Sequence, residues 1–214
     1  MHDPVMATHV TARPTQLVVE TEHESTPSIA AARARRLSRG PTHGTIRLRC
    51  LTPADGHHVT DLLERLSPHS RYQRYFRLVR SLSPADVARF VAVSPNHLAV
   101  GAFDGNRLIG AAQYFRLSLR PDHAEVALEV ADSHHRHGVG ARLVHELARF
   151  AAGEGITHFT ATVLAENRPV LGLMRHSGWH IATTPDGIYN DVVVTLPPDL
   201  VGAGARCDRA GWAC

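Results

Sequence analysis

The sequence predicts an α/β protein built on one mixed sheet with helices packed against it, and two observations carry that reading. Residues 124–150, AEVALEVADSHHRHGVGARLVHELARF, change period within a single stretch. Val126, Leu128 and Val130 alternate with Glu125, Ala127 and Glu129, and then Leu143, Val144, Leu147 and Phe150 recur at helical spacing. The second observation is the order of the whole chain, which reads β-α-α-β-β-β-α-β-α-β-β.

Each element follows from its residues. Residues 1–44 are rich in Pro, Thr, Ser, His and Ala and end in an arginine run from Arg33. They lack apolar periodicity and are read as a disordered basic extension, with a nucleic-acid arm the lesser reading. Ile46 and Leu48 open the first strand. Thr52-Pro53-Ala54-Asp55 caps a helix whose buried stripe is Val59, Leu62, Leu63 and Leu66. Ser67-Pro68-His69-Ser70 breaks it, and Arg71-Tyr72-Gln73-Arg74-Tyr75-Phe76-Arg77 reads as a short helix with aromatics inward and arginines in water.

Ser83 caps a further helix burying Val87, Phe90 and Val91. Residues 97–103 and 107–115 form a hairpin about Asp104-Gly105-Asn106. Gly153-Glu154-Gly155 stops the long helix, and 157–164 is a β-branched strand. Asn167 opens a helix with Val170, Leu171 and Met174 on one side, and 181–183 with 189–196 close the sheet. The folded domain is expected over 45–197, with a flexible tail over 198–214.

Composition narrows the function. With 214 residues, 43% of them hydrophobic, the chain can bury one sizeable core. No apolar run reaches membrane-spanning length, and no secretory signal is visible at the N-terminus. Cys50, Cys207 and Cys214 lack metal-ligand spacing. That fits a reducing cytoplasm and argues against a disulfide framework. The net charge of +3 is a modest basic excess held largely in the arm.

The loop between the organising strand and helix carries the chemistry. A strand that ends in glycines and feeds a helix aims unpaired main-chain N–H groups at one spot, and the helix dipole favours an anion there. The dinucleotide fingerprint requires a third glycine where Leu143 stands, and the Gly-Lys-Ser/Thr of nucleotide-triphosphate loops is absent. His134, His135 and His137 with His123 can be written as a zinc set. Close neighbours on one loop rarely converge tetrahedrally, so no metal is expected and the histidines are read as donors to phosphate.

His135-Arg136-His137-Gly138-Val139-Gly140 resembles the acetyl-CoA loop of the GNAT acetyltransferases, Arg/Gln-x-x-Gly-x-Gly/Ala, with His135 in the leading place. The resemblance covers roughly 45–197 and implies the GNAT fold, a mixed sheet of about six to seven strands flanked by about four helices. It implies acetyl-CoA as co-substrate, held by the loop from His135 through Ala141. The pantetheine would pair with the main chain of Leu128, Val130 and Ala131, and Asn167 matches the family's asparagine after the fifth strand. The amide near Val130 would face the thioester oxygen.

Leu66-Ser67-Pro68-His69-Ser70-Arg71-Tyr72, Ala124-Glu125-Val126-Ala127, Val130-Ala131-Asp132 and Leu164-Ala165-Glu166-Asn167-Arg168 are similar to the catalytic domain of bacterial Pat-type protein lysine acetyltransferases. That family's loop usually reads Gln-Gly-Arg-Gly-x-Gly, so Arg136 replaces a glycine here. The resemblance implies an acyl-CoA synthetase lysine as acceptor and Glu125 as catalytic base, with Glu129 the alternative. A base is needed because a lysine amine of pKa near 10.4 is neutral in only about one molecule in 2,500 at pH 7. A tyrosine that commonly protonates the departing thiolate is replaced by Met174. The competing readings are a small-amine acetyltransferase and a catalytically silent CoA-sensing module. Membrane and nucleic-acid partners are not expected, and the oligomeric state stays open.

Overall fold

The computed structural model describes residues 46–201; the N-terminal arm and the rest of the C-terminal tail lie outside them. Strands β1 (Arg47–Cys50), β2 (His97–Asp104), β3 (Arg107–Leu117), β4 (Arg120–Val130), β5 (His158–Leu164), β6 (His180–Asp186) and β7 (Tyr189–Thr195) form one sheet in the order β1-β2-β3-β4-β5-β7-β6. Neighbours are antiparallel except β4 and β5, which run parallel because a helix carries the chain back between them. The helices are α1 (Gly56–Arg65), α2 (Pro68–Tyr75), α3 (Pro84–Phe90), α4 (Val139–Gly153), α5 (Arg168–His176) and α6 (Pro198–Val201).

Sheet alternation sorts the core into two layers. Val126, Leu128 and Val130 turn one way and join Leu143, Leu147, Ala148 and Ala151 of α4. Sealing leucines such as Leu143 and Leu147 from water contributes about 1.5–3 kcal/mol each. On the opposite face, Leu51, Val59, Leu62, Phe90, Phe103 and Ala111 pack beneath α1 and α3. Glu125, Ala127 and Glu129 belong to this second face by the same alternation.

Capping follows the sequence closely. Ser67 and Ser83 accept from the amides of Ser70 and Asp86, each ahead of a proline in the first helical turn. Three helices stand between β1 and β2, as the residues read one by one predict, although the abbreviated element order counts two. Within the span expected as tail, Pro198–Val201 is helical and Leu200 is buried against the α4 core. Cys50 is buried at the end of β1. Among the described residues, no helix is long and apolar enough to cross a membrane.

Candidate active site

Strands β4 and β5 are paired only over His123 with His158, Ala124 with Phe159 and Glu125 with Thr160. Beyond that register β4 continues to Val130 and β5 to Leu164, where β5 stays bonded to β7 instead. A wedge therefore opens in the sheet immediately past Glu125. The main chain along its β4 edge can be oriented from one bond. Ala131 donates its N–H to the Ile109 carbonyl at 2.8 Å, on the β3 side. Successive residues of a strand direct their N–H and C=O groups to opposite edges, so those of Val130 and Leu128 turn to the wedge. His135 donates its Nε2–H to the Val130 carbonyl at 2.9 Å, consistent with that orientation.

This narrows the expected main-chain contacts. Ala131 is committed within the protein, its N–H to Ile109 and its carbonyl to the His134 amide at 2.8 Å. Of the three residues expected to pair with pantetheine, Leu128 and Val130 face the wedge and Ala131 does not.

The loop after β4 turns through a short helical segment, Asp132–His134, and delivers the start of α4 to the mouth of the wedge. Gly138 caps α4 at φ +75°, and its carbonyl accepts from the Arg142 amide at 3.1 Å. Val139, Gly140 and Ala141 follow in the first turn, where no carbonyl lies one turn back to take their N–H groups. Arg136, in the place where a glycine is usual, also has positive φ, +60°. The loop is pinned from below by Asp132, which accepts from the Ser67 amide at 2.8 Å, the Ser67 hydroxyl at 2.9 Å and the Ser70 hydroxyl at 2.7 Å. Burial would raise its carboxyl, but the donors from Ser67 and Ser70 prevail and hold it below the usual carboxylate range. The sequence signal for this anchor was Ser67-Pro68, read there as a helix breaker; it is a helix cap whose hydroxyl also reaches across the fold.

The two carboxylates of β4 meet different surroundings. Glu125 is half-buried at the point where the strands part. Glu129 is sealed, with Oε2 3.0 Å from Arg74 Nε and accepting from the Tyr75 hydroxyl at 3.3 Å. Burial pushes Glu129 up, against the pull of Arg74, and burial beside Glu129 pushes the Tyr75 phenol up as well. This corrects the reading of the aromatic helix: Arg74 is its most deeply buried side chain, while Tyr72 is exposed. A carboxylate on a buried strand position recruited the cation inward. Phe76 ends α2 in a left-handed cap and meets Tyr189 of β7 edge-on at 5.0 Å, so the helix end reaches the far side of the wedge.

Asn167 is fully buried at the start of α5, where its Oδ1 accepts from the Val170 amide at 3.3 Å. Met174 packs in the α4 core and lines an apolar cavity of about 110 Å³ with Val126, Phe159, Val144 and Trp179. That cavity sits between α4 and α5 over the root of the wedge. The loop histidines do not gather: His134 contacts Ser133 and Asp104, His135 contacts Val130, and His123 lies beside Asp122 and His158.

A forked parallel pair, a main-chain donor edge and a helix start at its mouth together define a protein that binds an extended ligand ending in phosphate. The chain belongs to the acetyltransferase (GNAT) family, which matches residues 58–179, and it is an acetyl-CoA-dependent N-acetyltransferase. The GNAT domain of S. lividans PAT is 28% identical, covers 72% of this chain and 92% of its own, and superposes with a TM-score of 0.67. The fold is shared with yncA from Salmonella typhimurium, a structure holding acetyl-CoA, at 14% identity, 72% and 95% coverage and a TM-score of 0.60. It is shared too with diaminobutyrate acetyltransferase EctA from Paenibacillus lautus, in complex with its substrate and coenzyme A, at 20% identity, 71% and 95% coverage and a TM-score of 0.54.

Proposed function

We propose that the chain transfers acetyl from acetyl-CoA to a protein lysine by direct attack, with Glu125 as general base. The observation that carries this reading is the end of β4–β5 pairing at Glu125 and Thr160, which leaves that carboxylate at the fork. Acetyl-CoA supplies the thioester, and the residues present suit it: amides of Val139, Gly140 and Ala141 for the diphosphate, and the edge of Leu128 and Val130 for the amides of its arm. Arg136 and His137 flank that phosphate site, and His135 holds the loop on Val130. The Val130 N–H is the donor for the carbonyl oxygen as negative charge develops there. Glu125 takes the proton from the attacking amine. Glu129, locked to Arg74, serves as an anchor in place of a base. Met174 cannot donate a proton, so the thiolate of CoA leaves without a side-chain acid.

The motifs similar to Pat-type protein lysine acetyltransferases support a protein acceptor, an acyl-CoA synthetase lysine first, and the likeness to the GNAT domain of S. lividans PAT fits that resemblance. The EctA neighbour keeps a small amine as the second reading, for the same fold there takes diaminobutyrate. Turnover against a panel of acyl-CoA synthetases and small amines, with mass spectrometry of the products, decides between them. Glu125→Gln tests the base: kcat falls by roughly 10²–10⁴ while calorimetric acetyl-CoA affinity stays within about twofold. A variant that keeps its kcat overturns the assignment.

A further inference from the structure

Below the fork, where β4 and β5 are still paired, three metal-binding side chains converge that the acetyl-transfer reading does not use. Asp122, His123 and His158 each present one donor atom, all within 4.8 Å of one another. His123 and His158 are register partners on adjacent parallel strands; their rings stack at 4.4 Å with 13° between planes, so one ring must turn about its χ angles for both to hold one ion in their ring planes. Asp122 Oδ1 lies 3.1 Å from His123 Nδ1, so a cation would take the place of the hydrogen in that contact.

We propose that Asp122, His123 and His158 form a binding site for a borderline divalent cation, with zinc the best match. The donor set decides the class. Two imidazoles and one carboxylate suit zinc and its neighbours, whereas calcium and magnesium need mostly oxygen. The site is also held in place. Its two imidazoles stand on strands whose spacing is fixed at about 4.8 Å by the sheet, which positions ligands better than a loop does. Thr157 orients the second ring: its hydroxyl lies 2.8 Å from His158 Nδ1 and 3.3 Å from the Asp122 carbonyl. Access is open, since the Asp122 side chain is 54% exposed and His123 16%.

The site has a mechanical consequence. The β4–β5 register is only three residue pairs long, and a cation bridging His123 to His158 would clamp its first pair. Glu125 lies two residues further along the same face, roughly 7 Å up the strand.

The test uses the full chain, free of any affinity tag, titrated with zinc by calorimetry and with cobalt by visible absorption. The parent takes one cobalt ion with the strong bands of four-coordinate geometry, and saturating zinc, at about 100 times its Kd, raises the thermal midpoint by roughly 5–10 °C. Replacing His123→Gln and His158→Gln together removes the bands and the thermal shift, while His134→Gln with His137→Gln, on the loop, leaves both. Asp122→Asn, at an exposed position that folding tolerates, weakens zinc by about tenfold or more. Absence of zinc binding to the parent, bands that persist in the His123/His158 variant, or loss that follows the loop variant overturns the site.

Discussion

Arg74 Nε lies 3.0 Å from Oε2 of Glu129, and the two side chains are 2% and 1% exposed. The pair fastens α2 to β4 one residue before Val130, whose amide faces the wedge. A buried charge left without its partner is costly, so Arg74→Ala is expected to lose about 3–5 kcal/mol in urea unfolding. Replacing both partners, Arg74→Met with Glu129→Leu, recovers most of that loss because no charge is stranded. A single substitution that costs under about 1 kcal/mol would show the pair to be solvated in solution.

Arg136 holds φ +60° where the related loops place glycine. For a side chain with a Cβ this region costs roughly 1–2 kcal/mol, against a smaller entropic loss for glycine. Arg136→Gly should therefore raise stability by about 0.5–1 kcal/mol, while Arg136→Ala leaves it nearly unchanged. The same glycine variant loses a cation beside the proposed phosphate site, so its acetyl-CoA affinity is expected to fall and to depend less on salt. Urea melts and calorimetry at two ionic strengths measure both effects; equal stability of the glycine and alanine variants would remove strain from the account.

What the sequence made legible, and what it hid, divides by the range of the interactions. Periodicity placed β4 and α4, and glycine with helical spacing marked the turn between them, because those signals are local. The caps at Ser67, Ser83 and Asn167 were readable in principle for the same reason. The inward turn of Arg74 was not, since only the burial of Glu129, 55 residues later, makes it favourable. Nor was the Asp132 anchor to Ser67 and Ser70, or the His123–His158 pairing, for each depends on which strand and helix become neighbours. The fork is a statement about where pairing stops, which no single strand's sequence records.

Asp55 accepts from the two terminal guanidinium nitrogens of Arg49, at 2.6 and 2.8 Å, and from the Thr52 amide at 2.8 Å. Burial would raise its carboxyl, but Arg49 and Thr52 prevail and lower it to about 2. A folded pKa below the unfolded value means stability that is complete above pH about 4 and is lost as pH falls towards 2. The loss attributable to this group is about 2 kcal/mol. Asp132 contributes in the same direction, so the informative quantity is the difference between parent and Asp55→Asn. Their urea midpoints should converge as pH is lowered from 6 to 2; a gap independent of pH would assign the role of Asp55 to packing alone.

Gly138 caps α4 at φ +75°, and a Cβ built there would meet no atom within 4 Å. Space therefore imposes no penalty on Gly138→Ala, and the cost is the backbone conformation alone, roughly 1–2 kcal/mol. Because the strained residue immediately precedes the amides of Val139, Gly140 and Ala141, relaxing it out of the left-handed region would turn those donors away from a common point. Gly138→Ala is expected to lose that stability and to bind acetyl-CoA about tenfold more weakly, a change of about 1.4 kcal/mol. Gly138→Asn, which tolerates the left-handed region better, should fall between alanine and the parent in both measurements. Calorimetry and urea unfolding on the three proteins check the order, and parental acetyl-CoA affinity in Gly138→Ala would show that the start of α4 is not where the diphosphate is held.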